Sequence, residues 1–176
     1  MLPRYTKMLW MMIINLEGAM NIAELHPVFV HFPIALTFTG LFCYILGYVK
    51  WPEFQRLALV LIVFAFLFSF PSVFAGEKAA EVAKGIPSIE KALEEHKEFG
   101  EWARWVLGLG LIIGVASQVV LKNNQTMAAL FFLAYLFAAG FVGYTGYLGG
   151  ELVLEYGAGV REVHSHPSFE GSQKGL

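Results

Sequence analysis

Apolar positions fall into four long blocks, about Val28 to Val49, Leu57 to Phe74, Trp102 to Leu121 and Met127 to Tyr147. Each is close to the roughly 20 residues that an α-helix needs to cross a hydrocarbon core. Two of the breaks are short and polar, Lys50-Trp51-Pro52-Glu53 and Lys122-Asn123-Asn124-Gln125. A tryptophan in the first suits a membrane interface. The pattern predicts an all-α fold, a four-helix transmembrane bundle. Pro71 is expected to kink or stop the second helix, because proline lacks a backbone donor.

The third break, Ala75 to Glu101, is the one long polar stretch, divided by Gly85-Ile86-Pro87. Beyond it Ser88 offers an N-cap and Glu90 a first-turn acid. Ile89, Leu93, His96, Phe99, Gly100, Ala103 and Leu107 then recur at spacings of three and four, while Glu90, Lys91, Glu94, Glu95, Lys97, Glu98 and Glu101 take the other face. That is an amphipathic helix. It runs on into the third span as an extension above the membrane, with His96 on its inward stripe.

The ends read differently. Met1 to Gly18 carries Arg4, Lys7 and a short apolar run, Met8 to Ile14, too short to span. Residues 1–20 are either an interfacial stub or an extension ahead of a start at Met20. Residues 21–160 form the membrane domain. Residues 161–176, with His164 and His166, read as a flexible tail.

Composition agrees with a membrane protein. The chain is 57% hydrophobic and only 15% charged, against about 25% charged in soluble domains. The net charge of -2 gives no footprint for nucleic acid. One cysteine, Cys43, excludes an internal disulfide and any cysteine-based metal motif. No nucleophile elbow, phosphate loop or dinucleotide fingerprint is present.

Four crossings return the chain to the side on which it started. His26, His31, His96, His164 and His166 then share one face of the membrane with Glu24, Glu77, Glu81, Glu151 and Glu155. The densest chemistry is the octad His26-Pro27-Val28-Phe29-Val30-His31-Phe32-Pro33 at the mouth of the first span. Ionisable groups at such positions mark function by default.

Three readings follow. A b-type haem takes axial histidines from facing helices. The first and third helices are diagonal in an up-down bundle, so His31 and His96 are the leading ligands. His26 is the substitute ligand or propionate partner, and electron transfer is the role. Phe29, Phe32, Phe99 and Trp102 are available to line the porphyrin. His96 precedes Trp102 by six residues, about 9 Å, so His26 matches its height better than His31. Secondly, His26, His31 and His96 with Glu77 or Glu151 suit zinc, iron or copper. His26 and His31 lie about 140° apart on a regular helix, but the two prolines are expected to make this stretch irregular. Thirdly, the histidines cap helix ends in a cofactor-free structural or interaction subunit, or titrate as a switch at mildly acidic pH. Gly100, Gly108, Gly110 and Gly114, and Gly140, Gly143, Gly146, Gly149 and Gly150, allow close helix packing or make room for a macrocycle.

Two signatures carry a resemblance. His26-Pro27 with Val30-His31-Phe32-Pro33-Ile34-Ala35-Leu36, and Thr145-Gly146-Tyr147-Leu148-Gly149-Gly150-Glu151-Leu152-Val153 with Gly157-Ala158-Gly159-Val160, resemble a widespread family of small four-helix membrane proteins. That family is known only as a domain of unknown function. The resemblance covers about Glu24 to Val160, and His96 matches a histidine before the family's third helix. Leu154 and Tyr156 stand where members often carry Tyr and His, which leaves a fourth ligand there open. The resemblance implies a multi-pass protein of the cell membrane, sometimes joined to cytochrome-like domains. Its partners are then the lipid bilayer and a redox protein. Sidedness and homo-oligomerisation stay open.

Overall fold

The computed structural model of the chain describes residues 22–84, 88–122 and 124–159. The expected N-terminal stub, the tail, His164 and His166 lie outside these residues. A short 3-10 turn, Ile22–Leu25, leads into α1 (His26–Val49). Then come α2 (Glu53–Ala83), α3 (Glu90–Val115) and α4 (Gln125–Leu154). All four are long and apolar enough to cross a membrane, so the expected all-α, four-helix bundle is what forms.

The helices outrun their apolar blocks. Of the two expected effects of Pro71, a kink or a stop, the stop does not occur, and Glu53–Ala83 continues through it. The lost donor costs one backbone bond to Leu67, but α2 packs along both α1 and α3, and tertiary contacts override a local breaker. The stretch after it, rich in alanine, is a good helix former. Helix α1 is also continuous. Pro27 sits in its first turn, where a missing N–H costs nothing, and Pro33 lies inside. The expected irregularity around the octad does not occur. Ser88 is not the N-cap of α3. Ile89 holds that position with no side-chain cap, and Ser88 adopts φ 65°. At its far end α3 passes into one π-helical turn, Ala116–Val120.

Neighbouring helices are α1–α2, α2–α3, α3–α4 and α4–α1, so α1 and α3 are diagonal. Packing is more extensive within the hairpins α1–α2 and α3–α4 than between them. Each helix buries a stripe at spacings of three and four, as in Thr37, Gly40 and Tyr44 on α1 and Phe131, Tyr135 and Ala138 on α4. The central core sets Tyr44, Ile62, Phe131 and Tyr135 among Ala58, Ala65 and Ala138. Small residues let helices approach where lipid offers no hydrophobic drive. Tyr44 donates to the Ala128 carbonyl (2.8 Å) and Tyr135 to the Ala58 carbonyl (3.1 Å), so neither buried hydroxyl is orphaned. Phe42, Ile112 and Phe137 are more than half exposed, as befits a surface solvated by lipid rather than water.

The two ends differ. At the short-turn end, Gln118 donates to the Gln55 carbonyl (2.9 Å) and Gln55 to the Gly47 carbonyl (3.2 Å), tying three helices together. Asn124 caps α4 by accepting from the Met127 N–H (3.2 Å). The other end holds both ends of the described chain and the histidines of α1 and α3.

Candidate functional site

His26 is the first residue of α1, and its ring crosses to α2. Its Nδ1 lies 2.9 Å from the Ser72 carbonyl oxygen. A carbonyl only accepts, so Nδ1 carries the proton. His96 repeats the arrangement on the other hairpin, with Nδ1 3.1 Å from the Thr145 carbonyl of α4. In each case a glycine stands four residues beyond the accepting carbonyl. A Cβ on Gly76 would lie 2.9 Å from His26 Cε1, and one on Gly149 would lie 3.1 Å from His96 Cε1. Each imidazole therefore lies flat on helix backbone where any side chain would obstruct it.

The repeat extends one turn further. Ser72 Oγ donates to the Phe68 carbonyl (2.8 Å), and Thr145 Oγ1 to the Phe141 carbonyl (2.9 Å). Both α2 and α4 thus carry Phe-x-x-x-Ser/Thr-x-x-x-Gly: Phe68, Ser72, Gly76 and Phe141, Thr145, Gly149. An aromatic of the partner helix meets each Phe. Phe32 stacks on Phe68 at 4.6 Å, and Phe99 lies 6.1 Å from Phe141. The two hairpins are related by an approximate two-fold relation of local parts, with one histidine from each. This shared spacing is the sequence signal that would have marked Ser72, Gly76, Thr145 and Gly149 as site residues beforehand.

The two rings meet across the bundle axis. Their centroids are 6.1 Å apart and their planes nearly perpendicular, at 83°. Both are partly buried. Each ring bonds a carbonyl at the end of an apolar block, Ser72 or Thr145, with Nδ1 as the donor. That is the tautomer in which Nε2 carries the lone pair.

The remaining candidates are not brought to this point. His31 is exposed, and its Nδ1 contacts the Pro27 carbonyl of its own helix. Because α1 is regular, the roughly 140° between residues five apart turns His31 off the face that carries His26. Glu77 is exposed and Glu151 half-buried. Among the described residues no group of three or more His, Cys or Glu side chains is placed to hold a metal ion. On the outer side of α3 and α4, Tyr144 donates to Glu95 at 3.3 Å. Below that bond Phe99, Leu136, Phe137, Gly140, Phe141 and Tyr144 line an open apolar groove of about 380 Å³.

No curated protein and no solved structure matches the chain. Residues 23–162 match the family described as "Predicted membrane protein (DUF2231)", in keeping with the resemblance carried by the two signatures. The match spans most of the chain, and the protein belongs to that family of membrane proteins of unknown function.

Proposed function

We propose that the His26–His96 pair is the ligand set of a haem b at one membrane surface, and that the protein serves electron transfer. The observation that carries this reading is the spacing of the rings. A metal ion about 2.0–2.1 Å from each nitrogen puts two imidazole centres about 6 Å apart when the ligand–metal–ligand angle is wide, and these stand at 6.1 Å.

The donor chemistry fits the group. Only two ligating side chains converge here, too few for a bare ion with an all-protein shell. Haem iron brings four nitrogens of its own and would need only one or two protein ligands, which His26 and His96 would supply. When bound, the haem would supply one-electron exchange. The protein's part is orientation. The Ser72 and Thr145 carbonyls fix both tautomers and ring directions, and Gly76 and Gly149 let the rings sit against backbone. Packing is thinner at the seam between the hairpins, where a flat group would have to sit. Of the aromatic residues expected to line it, Phe32 stacks on Phe68 and Phe99 lies near Phe141, while Phe32 and Trp102 are both exposed.

The test is the absorption spectrum and metal content of the full chain, purified from cells supplied with haem. A Soret band with iron is expected, lost in His26→Ala and in His96→Ala but kept in His31→Ala. Absence of both Soret band and iron would defeat the haem reading. The same 6.1 Å spacing also suits a second reading, in which the pair holds zinc, iron or copper, with Glu77 or Glu151 recruited. Metal without a Soret band would select it. A metal-free protein would point to a structural or interaction subunit.

The membrane setting proposed with this site is a multi-pass protein of the cell membrane, both termini on one side, with a redox protein as partner.

A further inference from the structure

The groove on the outer side of α3 and α4 is not used by the histidine pair. Four of its six lining residues are aromatic, Phe99, Phe137, Phe141 and Tyr144, and the others are Leu136 and Gly140. Its size, about 380 Å³, falls in the range of small-molecule sites. Gly140 makes the room. Along α4 the following glycines seat side chains: a Cβ on Gly143 would meet Phe38, one on Gly146 would meet Ile34, and one on Gly149 would meet His96. At Gly140 it would meet nothing within 4 Å.

The groove lies at membrane depth. From Leu136 to Tyr144 α4 advances about 12 Å, all inside its apolar block, so the groove opens sideways to lipid and keeps to one leaflet. Its outer end is at the level of the interface, where Trp102, Trp105 and Tyr147 are exposed. The rim at that end carries the polar groups. Tyr144 donates to Glu95 at 3.3 Å, whereas a bond between oxygens is normally about 2.5–3.0 Å. A pair this loose is readily opened by a ligand. The hydroxyl can turn to a carbonyl oxygen, and the carboxylate can accept from a hydroxyl. Charge narrows the choice of ligand. Between Glu90 and Glu101 α3 holds five glutamates and two lysines, and Glu151 follows Tyr144 by seven residues, on the same face of α4. This surplus of negative charge disfavours phosphate and carboxylate headgroups. A neutral ring with oxygens on its edge fits, because it can pack against Phe99 and Phe141 while its oxygens reach Tyr144 and Glu95.

We infer that this groove binds a lipid-soluble quinone, in its oxidised or reduced form, entering from the bilayer. Tyr144 is the donor to a quinone carbonyl, Glu95 the acceptor from a quinol hydroxyl, and Gly140 leaves space for the ring or its chain. Glu95 adjoins His96, and Tyr144 adjoins Thr145, whose carbonyl holds His96. The groove and the histidine pair therefore stand back to back across α3 and α4. Binding in the groove does not depend on what the pair holds.

Photolabelling of the full chain in lipid nanodiscs tests it, with an azido-substituted short-chain ubiquinone as the probe. Label should fall on Phe99 and on residues 136–144, and decylubiquinone should displace it. Gly140→Phe, which fills the groove from an open position, should lower labelling about tenfold. Tyr144→Phe should weaken displacement by decylubiquinone about fivefold, and Glu95→Ala should do the same for decylubiquinol, each through one lost hydrogen bond. Label spread evenly over the lipid-facing surface, or Gly140→Phe labelled like the wild type, would overturn the inference. So would equal displacement by oleate or phosphatidylglycerol, which would make the groove a general seat for acyl chains. A dimer that Gly140→Phe dissolves, with no label displaced by quinone, would overturn it in favour of a second copy. The double variant His26→Ala, His96→Ala should label like the wild type, so a missing Soret band and a missing quinone site are separate results.

Discussion

The His26 and His96 rings meet edge to face at 6.1 Å, from diagonal helices and on matching backbone supports. Each ring has its own carbonyl and its own glycine, so the supports can be perturbed without touching a histidine. Alanine in a helix interior is favoured over glycine by about 1 kcal/mol. An extra methyl in a filled site costs about 1–3 kcal/mol. Gly76→Ala and Gly149→Ala should therefore be neutral to moderately destabilising, yet should displace the rings and sharply lower occupancy by the haem proposed above. Gly140→Ala and Gly150→Ala, where a Cβ meets nothing within 4 Å, should raise thermal stability and leave occupancy alone. If Gly149→Ala behaved like Gly140→Ala in both measurements, the close seat of His96 would not matter to binding.

Thr37 tests the polar satisfaction of the core. Its hydroxyl is fully buried and has no hydrogen-bond partner among the described residues. Leaving a buried donor unpaired costs about 1–3 kcal/mol. Thr37→Val keeps the shape and removes the group, and should stabilise by about 1 kcal/mol against denaturant. A clear loss of stability would mean that the hydroxyl has a partner, such as an internal water.

Gly40 and Tyr135 should be coupled. A Cβ at residue 40 would collide with the Tyr135 hydroxyl, which donates to the Ala58 carbonyl. Gly40→Ala should cost about 3 kcal/mol or more, and Tyr135→Phe about 1 kcal/mol. The double variant should lose less than the sum, with a coupling of about 1 kcal/mol or more. Additive losses would show that the helices separate rather than collide at this contact.

Much of the bundle was legible in the residues. The breaks at Lys50–Glu53 and Lys122–Gln125 interrupt hydropathy so sharply that the helix count needs no packing information. His96 reads as inward because its neighbours at three and four are apolar along the whole helix. Pro71 and Ser88 each carry a strong local preference, and at Pro71 packing against α1 and α3 carries the helix through it. The Phe-x-x-x-Ser/Thr-x-x-x-Gly repeat was present in the chain, but a carbonyl acceptor leaves no side-chain signature. Only a ring lying on it makes Ser72 and Thr145 stand out.

By itself the sequence determined four crossings, an up-down order, and a polar end that gathers the histidines of the first and third helices. Those follow from segment length, hydropathy and the parity of an even number of spans. Which histidines meet was decided by tertiary structure alone. His26 and His31 differ by less than two turns in height, and both are polar residues at one helix mouth. Whether His26 or His31 faces His96 depends on the rotation of α1 about its own axis, and that angle is set by how Thr37, Gly40 and Tyr44 seat against α2 and α4.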